Sequence, residues 1–261
     1  MHIREAEGNF RSVRSPRHYV ECIAALGTGK RRHGTVGDLE FLEGRSHASL
    51  RVNTANAEGR HFVQLVASEF PQAACEYPIL FTKHPETGAF YPGAVMGLEA
   101  GENLYARDGA LPGYRPADLV RQGFYVVEER IAIDPDDPAF SGSGQPLFDE
   151  RGEATRALRA VQQAMHQLSQ GLRETEAVVA RLVEHRLLEP IDISLDFDDG
   201  SHLRLDGLYS ISLDALHALD DAAALSLFRH GDLQIAYLQS ASVRHIRTLA
   251  HRRNERLFAT T

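Results

Sequence analysis

Cysteine is almost absent from this chain of 261 residues, which contains only Cys22 and Cys75. The two lie far apart, and neither belongs to a CxxC pair or to a Cys/His spacing of the kind that binds zinc. This usage is typical of proteins in a reducing compartment. We therefore expect a cytoplasmic protein.

Lysine is equally scarce: apart from Lys30 and Lys83, every basic residue counted in the net charge is arginine. This bias indicates a GC-rich coding sequence, and we expect no nucleic-acid partner. The net charge of −8 divides into about +4 for residues 1–34 and −12 for the remainder. Five arginines between Arg244 and Arg256 form a second basic stretch, interpreted as a solvated face, with contact to phosphate or an acidic partner as the alternative.

Long apolar runs are also missing. The longest one near the N-terminus, Cys22–Leu26, is too short for a signal sequence or a membrane span. We expect neither export nor stable membrane insertion.

Familiar catalytic signatures are lacking too. GTGK at 27–30 fails the spacing of a phosphate-binding loop, and no nucleophile elbow or dinucleotide fingerprint is present. A hydrolase remains open, because triads are defined in space rather than in sequence. We expect no bound metal or other cofactor, and whether the protein is an enzyme stays uncertain.

Two features invite a metal hypothesis. His230-Gly231-Asp232 has the H-x-D spacing of an iron facial triad, with His245 or His251 as a distal ligand, but Gly231 also suits a helix C-cap, which we favour. Three carboxylates in residues 134–138, DPDDP, offer oxygen ligands for a hard cation. A solvated turn is the preferred interpretation of that loop.

Alternating apolar residues predict an α+β fold whose residues 34–140 are mostly antiparallel strands. Residues 39–43 and 47–53 predict a hairpin around Gly44-Arg45-Ser46, joined by a third strand over 61–67. The further expected elements are a hairpin of 77–83 with 89–98, strands at 104–107 and 124–133, and a short helix at 116–121.

Residues 150–258 are expected to be helical with an inserted β-hairpin. Apolar positions at helical spacing over 156–188 predict one long helix or a helical pair, capped near Thr155, weakened at Gly171 and ended by Pro190. Asp199-Gly200 predicts a hairpin between 191–197 and 202–209. Helices are expected from Ser212 or Asp214 to about 219, from Asp220 or Asp221 to 229, and from 240 to 257.

Short motifs built on proline, glycine and tyrosine follow one another from about residue 34 to the C-terminus. They are Glu69-Phe70-Pro71, Tyr77-Pro78-Ile79, Gly97-Leu98 with Gly101-Glu102-Asn103-Leu104, Gly113-Tyr114-Arg115-Pro116 with Phe124, Gly144-Gln145-Pro146-Leu147-Phe148-Asp149 with Gly152 and Thr155, Leu187-Leu188-Glu189-Pro190, Leu205-Asp206-Gly207-Leu208-Tyr209, and Gly231-Asp232-Leu233 with Ala236-Tyr237.

In these motifs the chain resembles the SapC family of bacterial proteins, over roughly residues 34–258. The resemblance implies one α+β domain over 34–258, preceded by a variable basic arm over 1–33. It also implies an accessory role tied to the bacterial cell surface, either in surface-protein export or, beside TonB-dependent receptors and halogenase-like enzymes, in the uptake or modification of a ligand.

The central turns contain a group of polar and aromatic residues that we take as the candidate ligand site. They are Glu69, Tyr77, Tyr91, Glu102, Asn103, Tyr114 and Arg115. One interpretation is structural, with the side chains satisfying turn backbone groups and packing at the rim. The other is a recognition cleft for a peptide, protein or small ligand, in which tyrosines supply contact area and Arg115 or Asn103 orients the ligand. The leading hypothesis is a binding or adaptor protein, and the alternative is an enzyme that modifies a peptide or small molecule, with a metal or a halogenase- or oxygenase-like partner.

Overall fold

A computed structural model describes residues 39–53, 57, 59–140, 142 and 144–259. The basic arm expected over residues 1–33 lies outside the described residues. Helices and antiparallel sheets are both present, so the fold class is α+β.

The strands in the described residues pair only in antiparallel fashion. They are β1 (Glu40–Phe41), β2 (Arg51–Val52), β3 (Phe62–Gln64), β4 (Ile79–Lys83), β5 (Phe90–Val95), β6 (Phe124–Val127), β7 (Arg130–Ile133), β8 (Gln145–Pro146), β9 (Leu188–Pro190), β10 (Ile193–Asp196), β11 (His202–Leu205) and β12 (Tyr209–Ile211).

The helices vary widely in length. They are α1 (Phe70–Ala73), α2 (Ala117–Val120), α3 (Arg156–Glu184), α4 (Leu213–His217), α5 (Asp221–His230), α6 (Asp232–Ser242) and α7 (Ile246–Ala259). Two 3₁₀ turns, Ala67–Glu69 and Val243–His245, precede α1 and α7.

The chain divides into two compact units. Of the described residues, the first unit comprises 39–53, 121–140, 142 and 144–161, and the second comprises 57, 59–120 and 162–259. Each unit is therefore assembled from two separate stretches of sequence. The single domain expected over 34–258 stays a prediction.

The first unit contains a sheet of order β1-β7-β6 and the pair β2-β8. Strands β6 and β7 form a hairpin whose two loop residues, Glu128 and Glu129, both have positive φ (50° and 61°). The sequence predicted one strand here, because Glu-Glu lacks the Asn-Gly signature of this turn.

The second unit is organised around a five-stranded sheet of order β3-β5-β4-β12-β9. The hairpin β4–β5 was predicted correctly, and so was the separate hairpin β10–β11 at Asp199-Gly200. Tyr209 begins β12 instead of ending that hairpin, and it pairs with Phe81 of β4. Strands from distant parts of the sequence thus share one sheet.

The first hairpin expected from the sequence is wrong. Strand β1 pairs with β7, and β2 pairs with β8. The backbone between β1 and β2 forms successive turns. In these turns the amide of His47 donates to the Glu43 carbonyl (3.0 Å) and the amide of Leu50 donates to the His47 carbonyl (3.0 Å). These local bonds leave the two runs no shared ladder.

Two further strand predictions are corrected. Strand β3 joins β5 instead of the first two runs. Residues 104–107 form no strand, because the Asn103 side chain takes the amides of Tyr105 (2.9 Å) and Ala106 (3.1 Å) that a ladder would need.

Helix α3 is continuous through Gly171, so the predicted weak point does not divide it. A Cβ on Gly171 would lie 2.7 Å from Cβ of Val66, which explains why glycine stands at this contact. Thr155 precedes the helix, but its hydroxyl donates to the Pro146 carbonyl (2.7 Å). The helix ends at Glu184, and Pro190 lies in β9.

Two of the C-terminal helices, α4 and α5, begin with a side-chain cap at one of the two residues predicted for each. Ser212 caps α4, and Asp220 caps α5 by accepting from the Ala223 amide (2.8 Å). Gly231 ends α5 in the left-handed conformation (φ 79°), as predicted. The last helix predicted over 240–257 is present as α7, but it begins only at Ile246 after a 3₁₀ turn, and α6, which begins directly after Gly231, was missed.

Two buried polar side chains of helix α6 form hydrogen bonds to strands of the five-stranded sheet. Gln239 donates to the Ile79 carbonyl of β4 (2.8 Å) and accepts from the Ile211 amide of β12 (2.9 Å). Ser242 accepts from the Ile79 amide (2.9 Å). The amide and the hydroxyl thereby provide hydrogen-bond partners for buried backbone groups that would otherwise have none.

Candidate functional site

A fully buried carboxylate, Glu69, forms the centre of the candidate site. It ends the 3₁₀ turn Ala67–Glu69, so its carboxylate returns to accept from the Val66 amide (2.9 Å). The other oxygen accepts from the Ala117 amide (2.9 Å) and from the Tyr114 hydroxyl (2.8 Å). Three donors from two chain segments, Val66 and residues 114–117, therefore converge on one carboxylate.

Burial raises the pKa of Glu69, while the three hydrogen bonds oppose that rise. The nearby Asp118 carboxylate raises the pKa of Glu69 further. Asp118 is itself buried and forms an ion pair with Arg60. Two buried carboxylates therefore lie close together, and one of them is held by an arginine.

Tyr77, Tyr105 and Tyr114 form a tyrosine cluster beside Glu69. The Tyr77 hydroxyl donates to the Tyr114 carbonyl (2.6 Å), and the rings of Tyr77 and Tyr105 meet edge to face with centroids 4.8 Å apart. The Tyr114 amide donates to both oxygens of Glu76 (2.9 and 3.0 Å). Burial is the main cause that raises the pKa of each of the three tyrosines, so they remain neutral phenols.

Asn103 is buried in the loop that follows β5 and is bonded at both ends of its amide. Its nitrogen donates to the Ala57 carbonyl (2.8 Å), while its oxygen accepts from the amides of Tyr105 and Ala106. Both functional atoms thus shape the loop, which leaves the amide no free atom to orient a ligand.

Glu102 is half-buried in the same loop. One oxygen accepts from the Leu98 amide (3.0 Å) and the other from the Arg253 guanidinium (2.7 Å). The structure therefore assigns this carboxylate two intramolecular partners.

The arginines of α7 hold that loop, an arrangement the sequence interpretation missed. Arg253 contacts Glu99 and Glu102, Arg252 lies over the Tyr105 ring (4.3 Å), and Arg256 donates to the Asn103 carbonyl. The basic stretch near the C-terminus was interpreted as a solvated face, and for these three residues that is wrong. The spacing of these arginines shows only that they lie on a helix. It does not indicate their partners, which lie about 150 residues earlier in the sequence.

Tyr91 and Arg115 are the remaining predicted site residues, and both are half-buried. The Tyr91 ring meets Phe62 edge to face (5.8 Å), and burial, together with Asp118, raises its pKa. Burial lowers the pKa of Arg115, which the neighbouring Tyr77 partly opposes.

The structure thus brings Glu69, Tyr77 and Tyr114 into direct contact, and Tyr105 links them to the Asn103 loop. Tyr91 lies apart from this chain of contacts and is connected to it electrostatically through Asp118. Asp118, Arg60 and Tyr105 were missed as members of the site, because their partners lie far away in sequence.

The proposed iron triad does not assemble at 230–232. The Asp232 carboxylate is fully buried and receives two bonds from Arg181 (2.5 and 2.8 Å). His230 bonds through Nδ1 to the Ser226 carbonyl (2.8 Å). In the described part of the chain, no cluster of three or more His, Cys, Asp or Glu side chains is arranged to hold a metal ion.

Two carboxylates of the DPDDP loop accept hydrogen bonds from backbone amides of the same turn. Asp134 accepts from the Asp136 amide (3.2 Å), while buried Asp137 accepts from the Gln122 side chain (3.1 Å) and the Ala139 amide (2.8 Å). The loop is a turn, as preferred from the sequence, but the expectation that it is solvated is wrong for Asp137, whose carboxylate is buried.

The family model SapC matches residues 42–249, which is most of the chain. The protein belongs to the SapC family. The motifs with Glu69, Tyr77, Asn103 and Tyr114, which carried the resemblance, all lie inside the matched range.

No curated protein and no solved structure matches this chain. Among the described residues, no helix has both the length and the apolar character to cross a membrane.

Proposed function

We propose that this SapC protein is a cytoplasmic accessory protein that binds a peptide, a partner protein or a small ligand. Surface-protein export or TonB-dependent uptake is the setting that family resemblance implies. The observation that carries the proposal is the internal bonding of the central carboxylate, since all three donors around Glu69 belong to the protein itself. A group bonded in this way positions its neighbours and is poorly placed to exchange a proton with a substrate.

Within this proposal the seven candidate residues divide into two roles. Glu69, Tyr77 and Asn103 are buried and act as positioning residues for the turns around them. The half-buried residues supply the contact surface, and they are Tyr91, Glu102, Tyr114 and Arg115. Rigid aromatic rings beside an arginine are typical of recognition surfaces.

Arg115 is the residue we assign to ligand orientation. It directly follows Tyr114, whose ring is anchored to Glu69 through its hydroxyl and whose amide is anchored to Glu76. A guanidinium held beside fixed aromatic groups suits a carboxylate on a peptide or a small ligand.

The alternative, an enzyme that modifies a peptide or small molecule, is favoured by one observation. Glu69 has a raised pKa beside Asp118, and neighbouring carboxylates of this kind occur in acid-base catalysis. Binding without catalysis is our choice, because the environment of Glu69 is already closed by donors from the fold.

A quantitative pull-down with matched variants tests the proposal. The bait is the full chain, presented to a lysate of the source organism as wild type, Arg115→Gln or Arg173→Gln. Arg173 is exposed on α3 and provides the matched control. We expect a discrete set of proteins or ligands that wild type and Arg173→Gln retain equally, and that Arg115→Gln loses by about tenfold, as for a charge-assisted contact.

Equal retention by Arg115→Gln would sink the assignment of this site. Elemental analysis of the same wild-type sample tests the alternative. About one equivalent of iron, zinc or manganese that disappears in Glu69→Gln or Asp118→Asn would favour the enzyme.

A further inference from the structure

A chain of hydrogen bonds links the buried carboxyl group of Glu69 to helix α3 through the Tyr114 hydroxyl. The hydroxyl donates to Oε1 of Glu69 (2.8 Å) and is also hydrogen-bonded to the side chain of Gln167, which is half-buried on α3. An ionised carboxylate can only accept, so the phenol donates to Glu69 and the Gln167 amide nitrogen donates to the phenol. Both bonds therefore point towards Glu69 when that group is ionised.

The same chain of bonds can run in the opposite direction, because its other two members can reverse. A phenol hydroxyl both donates and accepts, and a glutamine amide has an oxygen on one side and an NH₂ group on the other. When Glu69 takes up a proton on Oε1, the acid donates to the Tyr114 oxygen. The Tyr114 hydroxyl then donates to the Gln167 amide oxygen, once that amide has rotated. Every donor in the chain of bonds keeps an acceptor.

The backbone contacts of Glu69 are compatible with this reversal. Oε2 accepts from the Val66 amide, and a protonated Oε1 retains a lone pair for the Ala117 amide. The Tyr114 backbone is held by its own hydrogen bonds on both sides. Reversal therefore needs only a rotation of the Tyr114 O–H bond and a rotation of the Gln167 amide.

The charged and titratable groups that face Glu69 favour uptake of a proton. Asp118 of α2 is the neighbouring carboxylate, and it is paired with Arg60. Burial and Asp118 both raise the pKa of Glu69, and burial raises the pKa of Tyr114, which stays a neutral phenol. The residue that α3 contributes, Gln167, does not titrate. One proton on Glu69 thus makes the group of two carboxyls and one guanidinium neutral overall.

We propose that Glu69, Tyr114 and Gln167 form a proton switch, in which uptake of one proton from solvent by Glu69 reverses both hydrogen bonds and rotates the Gln167 amide on α3. The fold is intact in both states, and no electron is transferred. The switch is independent of the ligand proposed for Arg115, because all three of its members belong to the chain. Its effect is to report the charge of a buried carboxyl group at helix α3.

A pH titration of the full-length protein by NMR follows both ends of the switch. The side-chain carboxyl carbon of Glu69, assigned with Glu69→Gln, reports protonation, and the side-chain amide of Gln167 reports rotation. In wild type we expect one common midpoint above 4.5, the ordinary value for glutamate, while the amides of Val66 and Ala117 stay protected from exchange. A Gln167 amide that does not respond, or exchange that begins with protonation, would overturn the proposal.

Gln167→Leu separates the switch from simple burial. It removes the acceptor that the Tyr114 hydroxyl needs when Glu69 is protonated, so Glu69 should bind its proton about tenfold more weakly. In the ionised state the same change leaves only a phenol lone pair unused, which costs less than a buried donor without an acceptor. Burial alone predicts the opposite sign, because an apolar side chain disfavours the ionised carboxylate. A midpoint that rises or stays unchanged therefore contradicts the switch.

Two further variants complete the experiment. Gln170→Leu, at an exposed position of α3, is the matched control and should leave the Glu69 midpoint unchanged. In Tyr114→Phe the chain of bonds is already broken, so the addition of Gln167→Leu should not lower the midpoint again. An equal effect of Gln167→Leu with and without the Tyr114 hydroxyl would show that the glutamine acts on Glu69 by another route, and would reject the switch.

Discussion

At the scale of single residues, Glu69 is the group whose chemistry depends most on the fold. It is fully buried, and its two oxygens serve one hydroxyl and two backbone amides. In glutamine one of those oxygens becomes an NH₂ group. Whichever way the amide is oriented, at least one buried donor then faces another donor.

We therefore expect Glu69→Gln to lower the free energy of unfolding by about 1–3 kcal/mol, the cost of a buried unsatisfied donor. Tyr114→Phe should cost less, about 1 kcal/mol, because it removes one donor and leaves the two backbone bonds in place. Urea unfolding of both variants at one pH measures the difference. A larger loss in Tyr114→Phe would contradict the central role of the carboxylate.

The pH dependence of the Glu69→Gln effect follows from the raised pKa of Glu69. A folded-state pKa above the ordinary value of 4.5 means that the folded protein binds this proton more tightly than the unfolded chain. The stabilisation by Glu69 is full below pH 4.5 and is lost as the pH rises through the folded-state pKa. Because glutamine does not titrate, the stability of wild type relative to Glu69→Gln should fall as the pH rises from 4.5 towards 8, and a rise over that range would show the opposite shift.

At the scale of elements, the β6–β7 hairpin turns on two glutamates with positive φ, Glu128 and Glu129. Non-glycine residues in this region carry a cost of the order of 1 kcal/mol each. The Asn-Gly sequence prefers that turn conformation.

The double variant Glu128→Asn, Glu129→Gly should accordingly raise the free energy of unfolding of the first unit by about 0.5–1 kcal/mol. Thermal and urea unfolding measure the gain. Glu150→Gly provides the control: Glu150 is exposed and does not have a positive φ, so glycine there should bring no gain. Destabilisation by the double variant would show that the glutamate side chains hold the hairpin.

At the scale of the molecule, helix α6 is hydrogen-bonded to one strand from each of the two sequence stretches that form the second unit. Gln239 joins Ile79 of β4 to Ile211 of β12, although 132 residues separate those strand positions (211 − 79). Because all of these atoms are buried, β4, β12 and α6 should open together.

Gln239→Ala should lower the stability of the second unit by about 3 kcal/mol, since it leaves two buried backbone groups without their partner. Hydrogen exchange of peptides covering 79–83 and 209–211 should speed up by the same factor. Gln234→Ala, at an exposed position of the same helix, should change neither peptide. Faster exchange in only one of the two peptides would contradict a common opening.

The sequence by itself determined those features that depend on neighbouring residues. The Asp199-Gly200 hairpin, the caps at Ser212, Asp220 and Gly231, and the long α3 were all predicted, because a turn, a cap or an amphipathic face is formed by groups a few residues apart. The family was also recognised from short motifs, because their residues and their order along the chain can be identified without knowing what the side chains contact.

Tertiary structure alone decided which strands pair and what the polar side chains contact. The first hairpin prediction failed because two-residue strands carry too few side chains to specify a partner. The bonds from Arg253 to Glu102, from the Tyr114 hydroxyl to Glu69 and from Arg181 to Asp232 join groups that lie 45 to 151 residues apart, where no local pattern records the partner. Buried charges and amides obtain partners only when the chain has closed around them, and for this reason the candidate residues could be named from the sequence while their bonding could not.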